Sequence, residues 1–193
     1  MDADWPAGWA GPALEMPDGP QRPNPARIYD YWLGGKDNFG VDREVGDRVE
    51  QAAPWAGDGA RANRAFVHDS VRALARAGID QFIDIGSGLP LEGNVHEVAQ
   101  QVNPQARVVY VDNDPVVLTH ARALLESDEG VLVLPGDARR PHAIVETLAS
   151  TGHLDLDRPV AALFAAVLHF LLDQDDPAAT VDAFRQVMAD GSW

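Results

Sequence analysis

The chain has 193 residues, 46% of them apolar, and its 30 acidic and 15 basic side chains give a formal net charge of −15. This length suffices for one domain with a hydrophobic core, and no apolar run approaches the ~20 residues that cross a bilayer. Cysteine is absent, which excludes disulfides, thiolate nucleophiles and cysteine-ligated metals. Because so acidic a surface repels a phosphate backbone, we expect no nucleic-acid partner. The start of the chain has neither a basic nor a continuous apolar stretch of a signal peptide, so we expect a cytoplasmic protein without membrane association, and we find no metal-binding cluster in the sequence.

The N-terminal third divides into two segments of different composition. Residues 1–25 contain six of the 14 prolines and predict an extended or disordered leader. Residues 26–60 begin with "ARIYDYWLGGKDNF", in which three aromatic residues precede a glycine pair and a polar group. From residue 61 the patterns are regular, and residues 61–193 predict one domain. The arginines at 61, 64, 72 and 76 fall on its first helix, where a solvated helix face is the simplest interpretation.

Helical spacing alternates with continuous apolar runs in this domain. The runs in "QFIDIGSG", "RVVYVDND", "GVLVLPGD" and "PVAALFAAVLHFLL" predict four buried strands, the fourth around residues 160–168. Asp114-Pro115 and Asp176-Pro177 each combine an N-cap with a proline at the first helical position. The alternation predicts an α/β fold, a Rossmann-like doubly wound sheet that is mostly parallel. Ligands bind such sheets outside the carboxyl ends of the strands.

A glycine turn, "DIGSG", follows the first predicted strand. Gly86 and Gly88 would let a ligand approach the backbone closely. Leu91 stands where a dinucleotide fingerprint needs its third glycine, and no Gly-Lys-Ser/Thr follows, so a pyrophosphate or P-loop site is disfavoured. A tight strand-to-helix turn without a ligand remains the alternative.

Carboxylates follow the next two predicted strands. Asp112 could accept two hydrogen bonds from a ribose diol, and it has no evident structural task because Asp114 caps the next helix. Asp137 could accept from the exocyclic amine of adenine while the N–H of Ala138 donates to a ring nitrogen. An N-cap role for Asp137 is an equal alternative. Together the turn and the two acids predict an adenosine-containing ligand without a pyrophosphate.

These motifs carry a family resemblance. The order DIGSG, VDND, GDA resembles class I S-adenosylmethionine-dependent methyltransferases. More narrowly, "ARIYDYWLGGKDNF", "DIGSGLP", "GNVHEVAQ", "VYVDNDPVVL" and "AVLHF" resemble a bacterial S-adenosylmethionine-dependent methyltransferase family of largely undefined substrate. The resemblance covers roughly residues 22–193. Pro90 stands where many class members have a third glycine, and proline is tolerated at a helix start.

The resemblance implies S-adenosyl-L-methionine as the cofactor and assigns residues to it. The glycine turn would contact the methionine part of the cofactor, and Asp112 would bind the ribose. Asp137 with Ala138 would bind the adenine, and Asn113 would touch its edge. Asn94, at the start of a predicted helix, would face the cofactor carboxylate. The full set of predicted cofactor residues is Asp84, Gly86, Ser87, Gly88, Asn94, Asp112, Asn113, Asp137 and Ala138.

Residues 26–60 are then predicted to form a lid that shields the sulfonium and contacts the substrate. Aromatic rings suit a positively charged methyl or a flat acceptor. The alternative is an amphipathic helix packed on the sheet, with its rings as core fillers. The predicted lid and substrate residues are Tyr29, Trp32, Gly34, Gly35, Lys36 and Asn38.

His169, after the fourth predicted strand, could act as general base for an O–H or N–H acceptor. A partly buried structural histidine is an equal alternative, and His96 could lie on the surface. The Asn/Asp-Pro-Pro-Tyr pattern of nucleobase methyltransferases is absent. We expect methyl transfer to a small-molecule acceptor, with a cofactor-binding regulatory module without turnover as the alternative. A nicotinamide oxidoreductase is disfavoured by the missing fingerprint.

The resemblance also implies seven strands in the order 3-2-1-4-5-7-6, of which this sequence supplies four and one following helix. We therefore expect a fold truncated after that helix, with the strand around Val160–Leu168 as an uncovered apolar edge. Such an edge favours self-association. An incomplete acceptor pocket would leave turnover weak or absent.

Overall fold

Four parallel strands form the centre of the fold. The computed structural model describes residues 22–193, so most of the predicted leader lies outside the described residues. The strands lie in the order β3-β2-β1-β4, which is the first part of the order 3-2-1-4-5-7-6 that the resemblance implies. Ile83 at the centre of β1 is in register with Val109 of β2 and Ala162 of β4. Their bounds are β1 Gln81–Ile85, β2 Arg107–Asp112, β3 Val131–Pro135 and β4 Ala161–Leu163.

Helices precede, connect and follow the strands. Both predicted cap signatures are confirmed: Asp114 accepts from the N–H of Val116 at 2.7 Å, and Asp176 accepts from the N–H of Ala179 at 3.0 Å. The helix predicted from residue 61 begins earlier and runs across the predicted boundary at residue 60. The helices are α1 Pro25–Trp32, α2 Gly40–Ala52, α3 Ala56–Arg76, α4 Val95–Gln100, α5 Pro115–Leu125, α6 Pro141–Thr151 and α7 Pro177–Arg185.

The hydrophobic core lies on both faces of the sheet, since successive strand side chains point in opposite directions. Phe82 of β1 faces α3, α4 and α5, whereas its neighbour Ile83 faces α6 and α7. Both side chains are fully buried. Helices on both faces make the sheet doubly wound and leave the carboxyl ends of its strands open to a ligand.

β4 is much shorter than the strand predicted around residues 160–168. It ends at Leu163, and the chain then turns through a 3-10 segment, Leu168–Phe170. Ala166 has a φ of 53°, which an extended strand does not allow. Residues 164–168 are apolar although the strand does not continue through them. Phe164 packs on Phe184, and the residues that follow Phe164 line a cleft.

The outer edge of β4 is hydrogen-bonded, contrary to the predicted uncovered edge. The N–H of Trp193 donates to the carbonyl of Val160 at 3.0 Å, and the N–H of Ala162 donates to the carbonyl of Trp193 at 2.8 Å. The N–H of Val160 donates to Ser192 Oγ at 3.0 Å. Ser192 and Trp193, more than 30 positions further along the chain, therefore cover the first part of this edge.

The first three helices form a layer over the strand ends. α1 packs on both α2 and α3. A buried ion pair fixes α1 to α2, with Arg27 Nε 2.7 Å from Asp42 Oδ2. Asp42 also accepts from the N–H groups of Phe39 and Asn24, each at 2.9 Å. Within residues 22–193 no helix is both long and apolar enough to cross a bilayer.

Candidate functional site

A cleft of about 940 Å³ opens between the helical layer and the carboxyl ends of the strands. One wall is formed by the turns after β1, β2 and β3 and by the segment that follows β4. The other wall is formed by α1, the end of α2 and the first half of α3. Polar and aromatic residues of the wall include Asn24, Tyr29, Trp32, Trp55, Asn63, Arg64, Asp84, Ser87, Asp112, Asn113, Asp114, Asp137, Arg139, His169 and Phe170.

The glycine turn after β1 forms the floor of the cleft. Gly86 and Gly88 have φ values of 71° and 67°, in the left-handed region that favours glycine. A Cβ at Gly86 would lie 2.5 Å from Val167 Cγ2, so the turn also needs glycine for space. The N–H groups of Gly86 and Ser87 donate to the carbonyl of Val111 at the end of β2. The turn is thereby held against the neighbouring strand.

Asp112 supports this turn, although the sequence suggested that it had no structural task. Its Oδ2 accepts from the N–H of Gly88 and its Oδ1 from the N–H of Asp114, both at 2.9 Å. The residue is 9% exposed and lines the cleft. Burial raises the pKa of its carboxyl group. Each oxygen uses one acceptor position on the backbone and keeps another for a ligand.

Asp84 is a second buried carboxylate of the cleft. Burial, together with the negative charge of Asp112, raises its pKa to about 7, against the opposing effect of Arg64. None of the described residues donates a hydrogen bond to its side chain. A ligand with a positive charge would therefore meet an unsatisfied acceptor here.

Arg64 is a cleft residue that the sequence interpretation missed. Its Nη2 donates to the carbonyl of Gly93 at 3.0 Å, while its buried Nε has no partner among residues 22–193. Instead of lying on a solvated face, Arg64 continues the stripe of buried Val67 and Val71 on α3. That i, i+3, i+7 spacing was the signal available in the sequence.

Asp137, after β3, is already paired. Both of its oxygens accept from Arg139, with Nε 2.9 Å from Oδ1. Burial alone would raise the pKa of Asp137, but these hydrogen bonds bring it below its ordinary value. Ala138 also lines the cleft, and its carbonyl accepts from Thr180 Oγ1 at 3.0 Å. Asp137 is not the N-cap of α6, because that position belongs to Arg140.

Asn94 and His96 lie outside the main cleft. Asn94 is the N-cap of α4, a helix of only six residues, and its Oδ1 accepts from the N–H of Leu91 at 3.1 Å. His96 is buried instead of lying on the surface, with Nδ1 2.8 Å from the hydroxyl of Tyr110. Burial lowers the pKa of His96. Both side chains thus shape the turn and the core beneath the cleft.

The predicted lid residues separate into two groups. Tyr29 and Trp32 of α1 line the cleft, but Gly34, Gly35, Lys36 and Asn38 do not. Asn38 instead donates from Nδ2 to buried Asp30 Oδ2 at 2.8 Å. A Cβ at Gly35 would lie 1.9 Å from Asp30 Oδ1. The Gly-Gly-Lys-Asp-Asn segment therefore folds around Asp30, where it stabilises the turn between α1 and α2.

Two cleft residues of this layer were not predicted. Asn24, assigned to the leader by the sequence, accepts at Oδ1 from the N–H of Ala26 at 2.8 Å, caps α1 and donates from Nδ2 to Asp114 Oδ2. Asn63 of α3 donates to the hydroxyl of Tyr29 at 2.8 Å. The cap role of Asn24 could have been predicted from the sequence. Asn24-Pro25 combines an N-cap residue with a proline at the first helical position, as Asp-Pro does before α5 and α7.

His169 and Phe170 form the end of the cleft beyond β4. Both lie in the 3-10 segment, both are exposed, and their ring centroids are 4.1 Å apart. The exposure of His169 disfavours the alternative of a structural core histidine. In the part of the chain that the structure describes, no three histidine or acidic side chains are grouped as a metal site requires.

Comparison with known proteins supports the same interpretation of the fold. A family model described as S-adenosyl methyltransferase matches residues 18–193. The structure is similar to that of a DUF574 family protein from Streptomyces avermitilis MA-4680, with a TM-score of 0.82 and 43% identity over 88% of this chain and 66% of that one. It is also similar to a candidate methyltransferase from Thermobifida fusca YX, with a TM-score of 0.85 and 44% identity over 93% and 68% of the two chains.

A more distant similarity connects the chain to an enzyme of known name. Ribosomal RNA small subunit methyltransferase H of Bordetella avium (strain 197N) is 34% identical over 96 residues, which are 49% of this chain and 25% of that protein. The chain thus spans about two thirds of the two solved structures and a quarter of this relative.

Proposed function

The chain belongs to the S-adenosyl methyltransferase family, and we propose that it binds S-adenosylmethionine in the cleft and transfers the methyl group to a small-molecule acceptor. When bound, S-adenosylmethionine supplies a methyl group on a positively charged sulfur, and its transfer leaves neutral S-adenosylhomocysteine. The family and the Rossmann-like fold support the cofactor class. The acceptor and the residue roles below are our own assignments.

The observation that carries the proposal is a pair of opposite charges with unused bonding capacity in the cleft. Arg64 Nε is buried and donates to none of residues 22–193. Those residues also donate no hydrogen bond to the Asp84 side chain, and Asp84 is only 7% exposed. The methionine part of the cofactor carries one ammonium and one carboxylate. Asp84 would accept from the ammonium and Arg64 would donate to the carboxylate. Leaving such buried groups unmatched costs free energy that a zwitterionic ligand recovers.

We assign the rest of the cofactor to the neighbouring strand ends. We assign the ribose diol to Asp112, because this residue lines the cleft and each of its oxygens keeps a free acceptor position. Asn113 and the N–H of Ala138 are assigned to the adenine edge. Since Arg139 occupies both oxygens of Asp137, an adenine amine would share that carboxylate instead of holding it alone.

The acceptor side is assigned to α1 and to the segment after β4. Tyr29 and Trp32 shield the cleft from water on the side of the helical layer. His169 would take the proton that an O–H or N–H acceptor loses. The Bordetella relative acts on RNA by its name, but a net charge of −15 and four cleft carboxylates oppose a phosphate backbone here.

Calorimetric titration with S-adenosylhomocysteine and with NAD tests the proposal. We expect micromolar affinity for S-adenosylhomocysteine, about −8 kcal/mol, and no binding of NAD. Asp112→Asn should weaken binding by roughly 1.5–3 kcal/mol, because a charged acceptor of the ribose diol is lost. Asp69→Asn, an exposed acid on α3 outside the cleft, is the matched control. Wild-type affinity in a folded Asp112→Asn, or no affinity in the wild type, would contradict the proposal.

Methyl transfer is tested separately. Incubation with S-adenosylmethionine labelled in the methyl group should label a metabolite fraction and leave RNA unlabelled. Binding without labelling of any fraction would instead favour a cofactor-binding module without turnover.

A further inference from the structure

Two large aromatic side chains of the cleft wall are exposed to solvent. Trp55 is 71% exposed and Phe170 is 59% exposed, and both line the cleft. Trp55 precedes α3 in the helical layer, whereas Phe170 lies in the 3-10 segment after β4. Large rings are normally buried, and exposed rings that border a cavity are typical of binding sites. The residues assigned to the cofactor do not use either ring.

The cleft has room for a second molecule beside a cofactor. Its volume of about 940 Å³ lies near the upper end of the roughly 300–1,000 Å³ typical of small-molecule sites. The cofactor contacts proposed above lie at the turns after β1, β2 and β3 and at Arg64 of α3. The two rings come from the helical layer and from the end of β4, so they extend the wall beyond those contacts.

The charges of the cleft restrict what the second molecule can be. The described wall carries four carboxylates, from Asp84, Asp112, Asp114 and Asp137, and two guanidinium groups. Arg139 is held by Asp137, and Arg64 is the residue assigned to the cofactor carboxylate. Neither arginine is left to neutralise an anionic acceptor, which would meet the remaining negative charge.

We propose that the methyl acceptor is a flat aromatic small molecule without an anionic group, and that Trp55 and Phe170 bind its ring system. This inference rests on the proposed methyl transfer and specifies its substrate class. Offset or edge-to-face contacts with the two rings orient the acceptor, and a cationic substituent would gain from the face of Trp55. The proximity of His169 to Phe170 puts the base beside the bound ring.

Binding to the full chain saturated with S-adenosylhomocysteine tests the inference. The probes are 2-naphthol and 2-naphthoate, which share one ring system and differ in charge at pH 7.5. We expect calorimetry or saturation-transfer NMR to show 2-naphthol binding at least about tenfold more tightly than 2-naphthoate. Trp55→Ala and Phe170→Ala should each weaken 2-naphthol binding by about fivefold or more, with the affinity for S-adenosylhomocysteine unchanged.

Phe66→Ala is the matched control, because Phe66 is 69% exposed on α3 but does not line the cleft. It should bind 2-naphthol like the wild type. Three outcomes would overturn the inference and leave the proposed function intact. They are equal affinity for both probes, unchanged 2-naphthol affinity in Trp55→Ala and Phe170→Ala, and no 2-naphthol binding to the S-adenosylhomocysteine complex. Failure of the wild type to bind S-adenosylhomocysteine would instead overturn the proposed function.

Discussion

Asp84 lies buried in the cleft, and at the scale of one residue its ionisation opposes the stability of the fold. Its carboxyl group has a pKa of about 7 in the folded chain, against a reference value of 3.8. Between these pH values the folded state holds a proton that the unfolded state has released. The free energy of unfolding therefore falls as the pH rises from about 4 to 7, and the penalty is complete above pH 7.

Asp84→Asn should accordingly stabilise the ligand-free protein at pH 8. Asparagine keeps the shape of the side chain and removes the buried charge, so we expect a gain on the order of 2 kcal/mol at pH 8 that shrinks towards pH 5. The same substitution should weaken S-adenosylhomocysteine binding, because the ammonium loses its partner. Denaturant unfolding at the two pH values measures the gain.

The exposed acid Asp69 again supplies the control, since Asp69→Asn should change stability equally at both pH values. A gain from Asp84→Asn that did not depend on pH, or a loss at pH 8, would show that Asp84 is ionised at little cost. Stability gained at the expense of binding is the usual signature of a functional residue.

Helix α1 is the element that joins the helical layer to the strand ends, and Asn24 makes the connection. It caps α1 through Oδ1, bonds to Asp114 through Nδ2 and donates its backbone N–H to Asp42. We expect Asn24→Ala to lower the free energy of unfolding by about 0.5–2 kcal/mol, the usual cost of a lost N-cap. Amide hydrogen exchange in α1 should accelerate, while exchange in β1 and β2 should not.

Asn103→Ala provides a comparison, because Asn103 Oδ1 also accepts from a nearby backbone N–H, that of Gln105, but lies before β2 and outside the cleft. It should leave exchange in α1 unchanged. If Asn24→Ala also left α1 unchanged, the ion pair between Arg27 and Asp42 would be sufficient to hold this helix.

An element could be predicted from the sequence where the residues that determine it lie within the element or directly beside it. β1, β2 and β3 were predicted because each is a short, buried apolar run, and the starts of α5 and α7 because the cap lies beside its helix. β4 was predicted too long because residues lining a cleft are as apolar as a buried strand. The partner of Arg64 and the second task of Asp112 depend on contacts across the fold, which periodicity does not contain.

At the scale of the whole molecule, the edge of β4 is the surface through which the sequence predicted self-association. β4 contributes only three residues, and its outer side is hydrogen-bonded by Ser192 and Trp193. Those three bonds occupy Val160 and Ala162, so the edge is protected where it would otherwise offer N–H and C=O groups to another strand. A net charge of −15 adds repulsion between copies, and salt screens it.

Deletion of Ser192 and Trp193 should therefore expose the edge and promote association. We expect sedimentation velocity in 0.5 M salt to show a larger fraction of dimers and higher species for the deletion variant than for the unaltered chain. Each lost bond contributes about 0.5–1.5 kcal/mol, so the melting temperature should also fall.

The variant Trp193→Ala is the control, because it removes an indole that is 71% exposed and keeps the backbone N–H and C=O that pair with β4. It should sediment like the unaltered chain. Association of Trp193→Ala to the same extent as the deletion variant would show that the indole, and not the paired backbone, protects this edge.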